Sequence, residues 1–433
     1  MIARIKHTTP VLALCAALTL VSCEEPPPPK PNLTLLEAVE QKNLTGIELN
    51  LYWKQNLDEV DPFDNTALHI ASRMNEPEIV RDLLIAGLDT PSRNAGGLLP
   101  SDIAAGLGHT GVLRVMREMG VDLKIADQRG GTALHRACAA GFDETVRVLI
   151  QYGLDPAQVA STGESPLHIA AQHDHAAVIE ALLDANAPID VLDKNRATPL
   201  HTATRFSSLE AVKALIARGA DYRAKDSNDI SPLLYTLIND NLETGNVLLE
   251  GGADASEKVE LANGRLIHQA AAKGFHDFAT LLAEHGADVN APDQNGAPPI
   301  HHAISNNHTE TVRALIEMGA DPMSRGPLNR TLLHMPAWNE NLELMEFCLE
   351  LGIDVNTADS EGGTALHLAA VQGKTDACRY LLDHGADPSL KTIQGYTAFL
   401  IASGSGHSET AKLINEFVQA ARYSVPSFGG SNR

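Results

Sequence analysis

Short apolar segments alternate with polar turns along most of this chain, at a nearly constant interval. An alanine-rich stretch such as 168–171 (HIAA) is followed by a second stretch with apolar residues at helical spacing, as in Val146, Leu149 and Ile150. Spacing of three and four residues between apolar positions is typical of amphipathic helices. The pattern therefore predicts pairs of short helices separated by turns.

A tetrad of the TALH type opens each first segment, and its fourth position recurs in step. That position holds a histidine in most copies: His69, His135, His168, His201, His268, His301, His334 and His367. Asp102, Leu234 and Leu400 occupy it in degenerate copies, and neighbouring markers lie 33 residues apart except for one step of 34 after Leu234. A fixed period of this length indicates stacked, similar units.

Each unit also carries start and stop signals for its helices. Thr198 stands where its side-chain oxygen would cap the first helix, and Pro199 follows where a missing N–H costs nothing. Gly141 and Gly274 follow first helices, where a residue that tolerates a left-handed backbone conformation typically ends the helix.

These motifs resemble the ankyrin repeat family. The resemblance rests on TPLH at 198–201, TALHLAA at 364–370 and GAD at 385–387, and it covers roughly residues 33–420 in eleven registered copies. It implies an all-α repeat solenoid of about twelve units, in which a β-hairpin-like loop, here called the finger, joins each helix pair to the next. It also implies protein binding rather than catalysis, and tetrad histidines that stabilise the fingers by hydrogen bonding.

The N-terminus predicts export. Arg4 and Lys6 precede an apolar stretch at 11–21 that is too short for a permanent membrane span. The sequence LVSC at 20–23 resembles a bacterial lipobox, which implies cleavage before Cys23 and lipidation of its sulfur; the alternative is an ordinary secretory signal. Glu24 then fits forwarding to the outer membrane, so we expect a lipid-anchored protein facing the periplasm.

Four segments follow from these signals. We predict a signal peptide at 1–22, the lipidated Cys23 with a proline-rich tether at 23–32, a repeat solenoid at 33–423 and a disordered tail at 424–433. The solenoid is expected to begin with a divergent unit, opened by a capping box at 34–37, and to end with a helix at 408–423.

The charge narrows the choice of partner. The formal net charge of −22 becomes −24 once residues 1–22 and their two cations are removed. Such an acidic surface repels nucleic acid and attracts basic proteins. We therefore expect a basic protein partner, no nucleic acid, and a monomeric protein.

The sequence contains no P-loop, GxSxG, HExxH or EF-hand motif, so we predict no enzyme, cofactor or metal. A local cluster of His173, Asp174 and His175 lacks the spacing of a helical metal pair. Cys138, Cys348 and Cys378 are interpreted as buried small apolar residues. A disulfide between Cys348 and Cys378 is the alternative in an oxidising compartment.

The best contact candidates are large aromatic residues and arginines on the expected concave face of fingers and first helices. They are Arg196, Arg205, Phe206, Tyr235, Trp338 and Tyr396. Two irregularities accompany them: Pro336 should kink or shorten its helix, and one extra residue within 254–265 predicts a lengthened finger.

We therefore expect a membrane-anchored lipoprotein that binds proteins through its groove, as a scaffold or as an inhibitor or immunity factor. The alternative is a passive envelope element that supports a stress-response enzyme without a groove ligand of its own.

Overall fold

A computed structural model describes residues 27–55, 57–88, 90–259 and 264–423. The predicted signal peptide, Cys23 and the predicted tail at 424–433 lie outside these residues. The chain falls into two compact units, Met1–Gln128 and Arg129–Arg433.

Both units are built from antiparallel helix pairs, and the described residues contain twelve pairs. The pairs of the first unit are Leu35–Glu40 with Leu44–Trp53, Ala67–Arg73 with Pro77–Ile85, and Pro100–Gly106 with Thr110–Glu118. The second unit begins with Ala133–Ala140 and Asp143–Gln151, Pro166–Gln172 and Ala176–Asp184, Pro199–Arg205 and Leu209–Ala217, and Pro232–Ile238 and Leu242–Glu250. It continues with Leu266–Lys273 and His276–Glu284, Pro299–Ser305 and Thr309–Glu317, His334–Asn339 and Leu342–Glu350, Ala365–Val371 and Thr375–Asp383, and Ala398–Gly404 and Ser408–Tyr423. The predicted all-α repeat fold is confirmed.

The tetrad explains where the first helices begin. Thr198 Oγ1 accepts the backbone N–H of His201 at 3.4 Å, while the Nδ1 atom of His201 accepts the backbone N–H of Thr198 at 3.1 Å. Two N–H groups that a helix start leaves unpaired are thereby satisfied. The same exchange of bonds links Ser165 and His168. The predicted capping box between Thr34 and Glu37 is also present.

The tetrad histidines also tie each repeat to the next finger. The Nε2 atom of His201 lies 3.1 Å from the carbonyl oxygen of Ile230, and that of His334 lies 3.1 Å from the carbonyl oxygen of Gly363. A carbonyl oxygen only accepts, so Nε2 carries the proton and the ring is neutral. Burial lowers the pKa of these imidazoles, to about 4 for His301. The hydrogen-bonding role that the resemblance implied is confirmed.

A second set of histidines links repeats in the opposite direction. The Nε2 atom of His175 contacts the carbonyl oxygen of Ala139 at 3.2 Å, and His308 contacts Ala272 in the same way at 3.0 Å. The ring of His175 packs against Gly141, whose φ of +82° and lack of a Cβ both suit this close approach. His175 is thus part of the repeat framework.

Neighbouring fingers are joined by backbone hydrogen bonds, such as the bond of 2.8 Å from Ser227 N–H to the carbonyl oxygen of Asn195. The lengthened finger at 254–265 contains two antiparallel strands, β1 (Lys258–Val259) and β2 (Gly264–Arg265). The described part of the lengthened finger therefore contains a pair of hydrogen-bonded strands.

Pro336 shortens its helix as predicted. The helix His334–Asn339 has six residues and starts two residues later than its counterparts, after a turn at Leu332 and Leu333. Proline has no N–H to donate, and its ring restricts the preceding residue, so the first turn cannot close in the usual register.

Cys138, Cys348 and Cys378 are free and fully buried, and no disulfide occurs in the described part of the chain. Burial raises the pKa of the Cys348 and Cys378 thiols to about 12, because an apolar environment disfavours the thiolate. Across the described ranges, no helix combines the length and the apolar character needed to cross a membrane.

Candidate functional site

Three of the six predicted contact residues line one cavity in the second unit. Arg205 and Phe206 lie at the end of the helix Pro199–Arg205, and Tyr235 lies on the first helix of the next repeat. Together with residues of three successive fingers they enclose about 220 Å³. The repeat spacing places them together, since first helices of neighbouring repeats pack side by side.

The finger residues give the cavity its polar wall. It is lined by Glu164, Asp193, Asn195, Ala197, Asp226 and Asn228, and on the helix side also by His201 and Thr202. Asp193 Oδ1 accepts the backbone N–H groups of Asn195 and Ala197, each at 2.8 Å, and so shapes its finger. The carboxylate is therefore fixed in position at the cavity wall.

Tyr235 is held by a strong hydrogen bond. Its hydroxyl donates to Asp226 Oδ2 at 2.7 Å, and its ring lies edge-on to His201, with 6.2 Å between the ring centres. Partial burial and the carboxylate of Asp226 raise the pKa of Tyr235 to about 12, because both disfavour the phenolate. Tyr235 thus serves as a rigid wall and not as an acid at neutral pH.

Phe206 is the exposed aromatic of the site, with 47% of its surface accessible. The guanidinium carbon of Arg205 lies 5.4 Å from the centre of the Phe206 ring, in a cation–π contact. Arg205 makes no ion pair with any described carboxylate. An accessible aromatic beside an exposed arginine has the composition typical of binding hot spots.

Arg196 does not join this cavity. It lies at the turn of the same finger as Asn195 and Ala197 but is exposed and does not line the cavity, and it has a φ of +58°. The left-handed conformation is unusual for a residue with a Cβ and reflects the tight turn. Its place on a finger agrees with the prediction, while a binding role stays a prediction.

Trp338 and Tyr396 lie in later repeats. Trp338 is half-buried on the shortened helix His334–Asn339, where its neighbours Pro336 and Ala337 are buried. Tyr396 is 54% exposed on the last finger, where Ile393 is 72% exposed, and Leu400 on the following helix is 48% exposed. The structure does not bring either residue to the cavity.

Sequence reasoning missed the finger carboxylates and Thr202. Asp193 and Asp226 precede the tetrad in a regular way and therefore look like part of the repeat. The available signal was the residue nine positions later, which is Thr202, Tyr235 or His302 after Asp193, Asp226 and Asp293. The side chain at this position differs in size among the three repeats, while the aspartate is the same in all three. The position can therefore change without disturbing the finger.

No group of three or more His, Cys, Asp or Glu residues in the described ranges has the geometry to hold a metal ion. In the local cluster, the rings of His173 and His175 stack with 6.0 Å between their centres. Asp174 accepts the backbone N–H of Ala211 at 2.7 Å. These side chains serve the contacts between repeats.

Comparison with known families gives a consistent match over most of the chain. A family described as "Ankyrin repeats (3 copies)" matches residues 101–193, 178–259, 233–326, 267–359 and 333–421. A second, described as "Ankyrin repeat", matches residues 63–95.

Curated relatives match only in short segments. The chain is similar to the glycerophosphocholine phosphodiesterase GDE1 of Candida albicans, with 33% identity over 25% of this chain and 10% of that protein. A phosphodiesterase of the same name from Schizosaccharomyces pombe is 32% identical over 30% of this chain and 12% of its own length. The E3 ubiquitin-protein ligase KEG of Arabidopsis thaliana is 36% identical over 17% of this chain and 5% of its own. The chain thus spans about a tenth or less of these relatives.

Proposed function

Because this chain belongs to the ankyrin repeat family, a family of protein-interaction scaffolds, we propose that it binds a basic protein partner from a membrane-anchored position in a bacterial envelope. The cavity bounded by Arg205, Phe206 and Tyr235 carries this proposal. It joins an exposed aromatic, an arginine without an ion pair among the described side chains, and a fixed tyrosine at one place on the fingers and first helices.

The charge of this surface supports a basic partner. Glu164, Asp193 and Asp226 contribute three carboxylates to the cavity, while Arg205 contributes its only cationic guanidinium among the described lining residues. A local excess of negative charge on an already acidic protein accelerates association with basic proteins and weakens as salt is added.

The membrane anchor rests on the sequence alone. The motif LVSC at 20–23, followed by the proline-rich stretch 24–32, favours a lipidated Cys23 on a short tether. The indole N–H of Trp53 donates to the carbonyl oxygen of Pro29 at 3.2 Å, so the tether would be limited to the residues before Pro29. Replacement of Cys23 by serine should move the protein from the membrane fraction to the soluble fraction, and mass spectrometry of the N-terminal peptide should detect acyl chains only in the wild type.

We propose no catalytic activity for this protein. The phosphodiesterases among its relatives are much longer, and the matched segments represent only 10% and 12% of them. A scaffold that inhibits or assembles a partner requires no reacting group.

The proposal is tested by crosslinking the tagged protein in intact envelopes and identifying the attached proteins by mass spectrometry. We expect one dominant basic partner, joined to peptides of the Arg205–Tyr235 region. Phe206→Ala should weaken its capture, and Lys213→Ala, an exposed residue on the adjacent second helix, serves as the matched control.

Diffuse crosslinks to many abundant envelope proteins, unchanged by Phe206→Ala, would contradict a dedicated binder. That result would favour the alternative, a passive element that supports another envelope protein.

A further inference from the structure

Asp193, Asp226 and Asp293 share with Asp61 and Asp359 a finger geometry in which one carboxylate oxygen accepts two backbone N–H groups. The Oδ1 atoms of Asp193, Asp226 and Asp293 each accept the backbone N–H groups two and four residues further along, at 2.8 to 3.0 Å. The second oxygen of each carboxylate is left for another donor. These fingers therefore present the same acceptor at equivalent positions.

In two of the three repeats, the protein supplies that donor itself. The Tyr235 hydroxyl lies 2.7 Å from Asp226 Oδ2, and the His302 Nε2 atom lies 3.0 Å from Asp293 Oδ2. Both donors occupy the same position on the first helix, nine residues after the aspartate. A long side chain at this position reaches across to the finger and closes the space.

The repeat of Asp193 differs. Thr202 occupies the donor position, and its hydroxyl lies 3.5 Å from the carbonyl oxygen of Thr198 on its own helix. No described side chain donates to Asp193 Oδ2. The space that Tyr235 and His302 fill in their repeats is here part of the cavity of about 220 Å³, lined by both Asp193 and Thr202.

The surroundings of this acceptor favour a cationic donor with a flat face. Of the charged groups that line the cavity, three are carboxylates and one is a guanidinium, and the guanidinium of Arg205 is stacked on Phe206. Phe206 and Tyr235 add aromatic surfaces. A guanidinium stacks on aromatic rings and donates to several oxygens at once, whereas an ammonium is compact and more strongly hydrated.

We infer that the cavity beside Asp193 is a socket for one arginine side chain of the protein partner. The inference rests on the proposed protein-binding function and names the chemistry of that partner's anchor. The arginine supplies to Asp193 Oδ2 the hydrogen bond that Tyr235 and His302 supply in their own repeats. Glu164 and the aromatic rings complete the socket.

The neighbouring repeat provides the design of a blocking variant. Thr202→Tyr places the side chain of Tyr235 at the equivalent position, where its hydroxyl should reach Asp193 Oδ2 and fill the cavity. Thr202→Val is the matched control, because it removes the same hydroxyl without filling the space. Circular dichroism spectra and unfolding midpoints of both variants should match those of the wild type.

The test uses the detergent-solubilised, full-length protein and a phage-displayed library of random twelve-residue peptides as the probe. We expect enriched peptides to share one arginine, and its replacement by alanine to weaken binding by roughly tenfold or more, as expected for the loss of a charge-assisted hydrogen bond. Thr202→Tyr should weaken the parent peptide equally and leave the alanine peptide unaffected. Thr202→Val should change neither.

Other outcomes distinguish a failure of the arginine socket from a failure of the protein-binding function. Peptides that compete with the natural partner and lose affinity with Phe206→Ala, yet lack an arginine or bind Thr202→Tyr unchanged, would overturn the socket and leave protein binding intact. A selected lysine in place of arginine would also overturn it. The absence of any enriched peptide, combined with diffuse crosslinks in envelopes, would contradict the protein-binding function itself.

Discussion

Two neighbouring repeats of the second unit share the finger and the helix cap, and they differ at the side chain that faces the finger aspartate. In both, a capped first helix follows a finger whose aspartate accepts two backbone N–H groups. In one repeat Tyr235 closes the space against Asp226, and in the other Thr202 leaves it open beside Asp193. The residues that hold the repeats together are therefore different from the residues that shape the binding surface.

This separation explains how a regular array can carry one specific site. Caps, histidine bonds and small buried residues recur because every repeat must stack on the next. Surface positions on the first helix carry no such constraint, so a substitution there changes the partner surface at little cost in stability. The following predictions test the comparison, from the shared framework to the single side chain.

Acid should break the histidine bonds of the array and produce the largest effect, although the Tyr235 repeat has Leu234 in place of the tetrad histidine. Burial places the folded-state pKa of the tetrad imidazoles below the ordinary value of 6.5, at about 4 for His301. Their contribution is therefore complete above pH 6.5 and is lost as the pH falls towards 4. We expect the free energy of unfolding to fall by about 3 kcal/mol through His301 alone and further through the other tetrad histidines, measured by urea unfolding at a series of pH values.

In the same experiment, His201→Gln should remove part of the pH dependence, since one titrating group is lost. A urea midpoint that stays constant between pH 7 and pH 5 would contradict the histidine account.

Removing the hydroxyl of Tyr235 should destabilise the protein more than removing the hydroxyl of Thr202. Tyr235→Phe breaks a hydrogen bond to a buried carboxylate and should lower the free energy of unfolding by about 1–2 kcal/mol. Thr202→Val breaks only a long contact and should change it by less than about 0.5 kcal/mol. Equal losses in the two variants would show that the repeats do not differ as described.

Neutralising the two aspartates should give the smallest effect on stability. Asp226→Asn should cost about 1 kcal/mol and lower the pKa of Tyr235 from about 12 towards 10, measured by NMR titration of labelled tyrosine. Asp193→Asn keeps the acceptor for its finger and should cost less than about 0.5 kcal/mol. If the pKa of Tyr235 were unchanged in the Asp226→Asn variant, the Asp226 carboxylate would not be a cause of the raised pKa.

The fold was predictable because its causes are local and repeated. Caps such as Thr198, the tetrad histidines and the glycines that end first helices each specify one backbone feature, and the period of 33 residues places them in register. The shortened helix at Pro336 followed from the missing N–H alone. The strand pair β1–β2 was foreseen only as added length, since strand pairing depends on contacts across the finger.

The site was predictable only in part. Arg205, Phe206 and Tyr235 were recognised because large side chains replace small ones at exposed positions. Asp193 and Thr202 were missed, because the aspartate belongs to the regular pattern and the threonine is unremarkable in size. Their meaning depends on the distance between a finger and a helix, which becomes visible only when the repeats are compared in three dimensions.

Site-specific photocrosslinking in intact cells shows whether partners bind at the Asp193 repeat. A photoreactive phenylalanine analogue is placed at Phe206 in one strain and at Lys213, on the adjacent second helix, in another. We expect one crosslinked partner from position 206, lost with Thr202→Tyr, and none from position 213. Equal crosslinking from both positions, or a partner band that persists with Thr202→Tyr, would contradict this expectation.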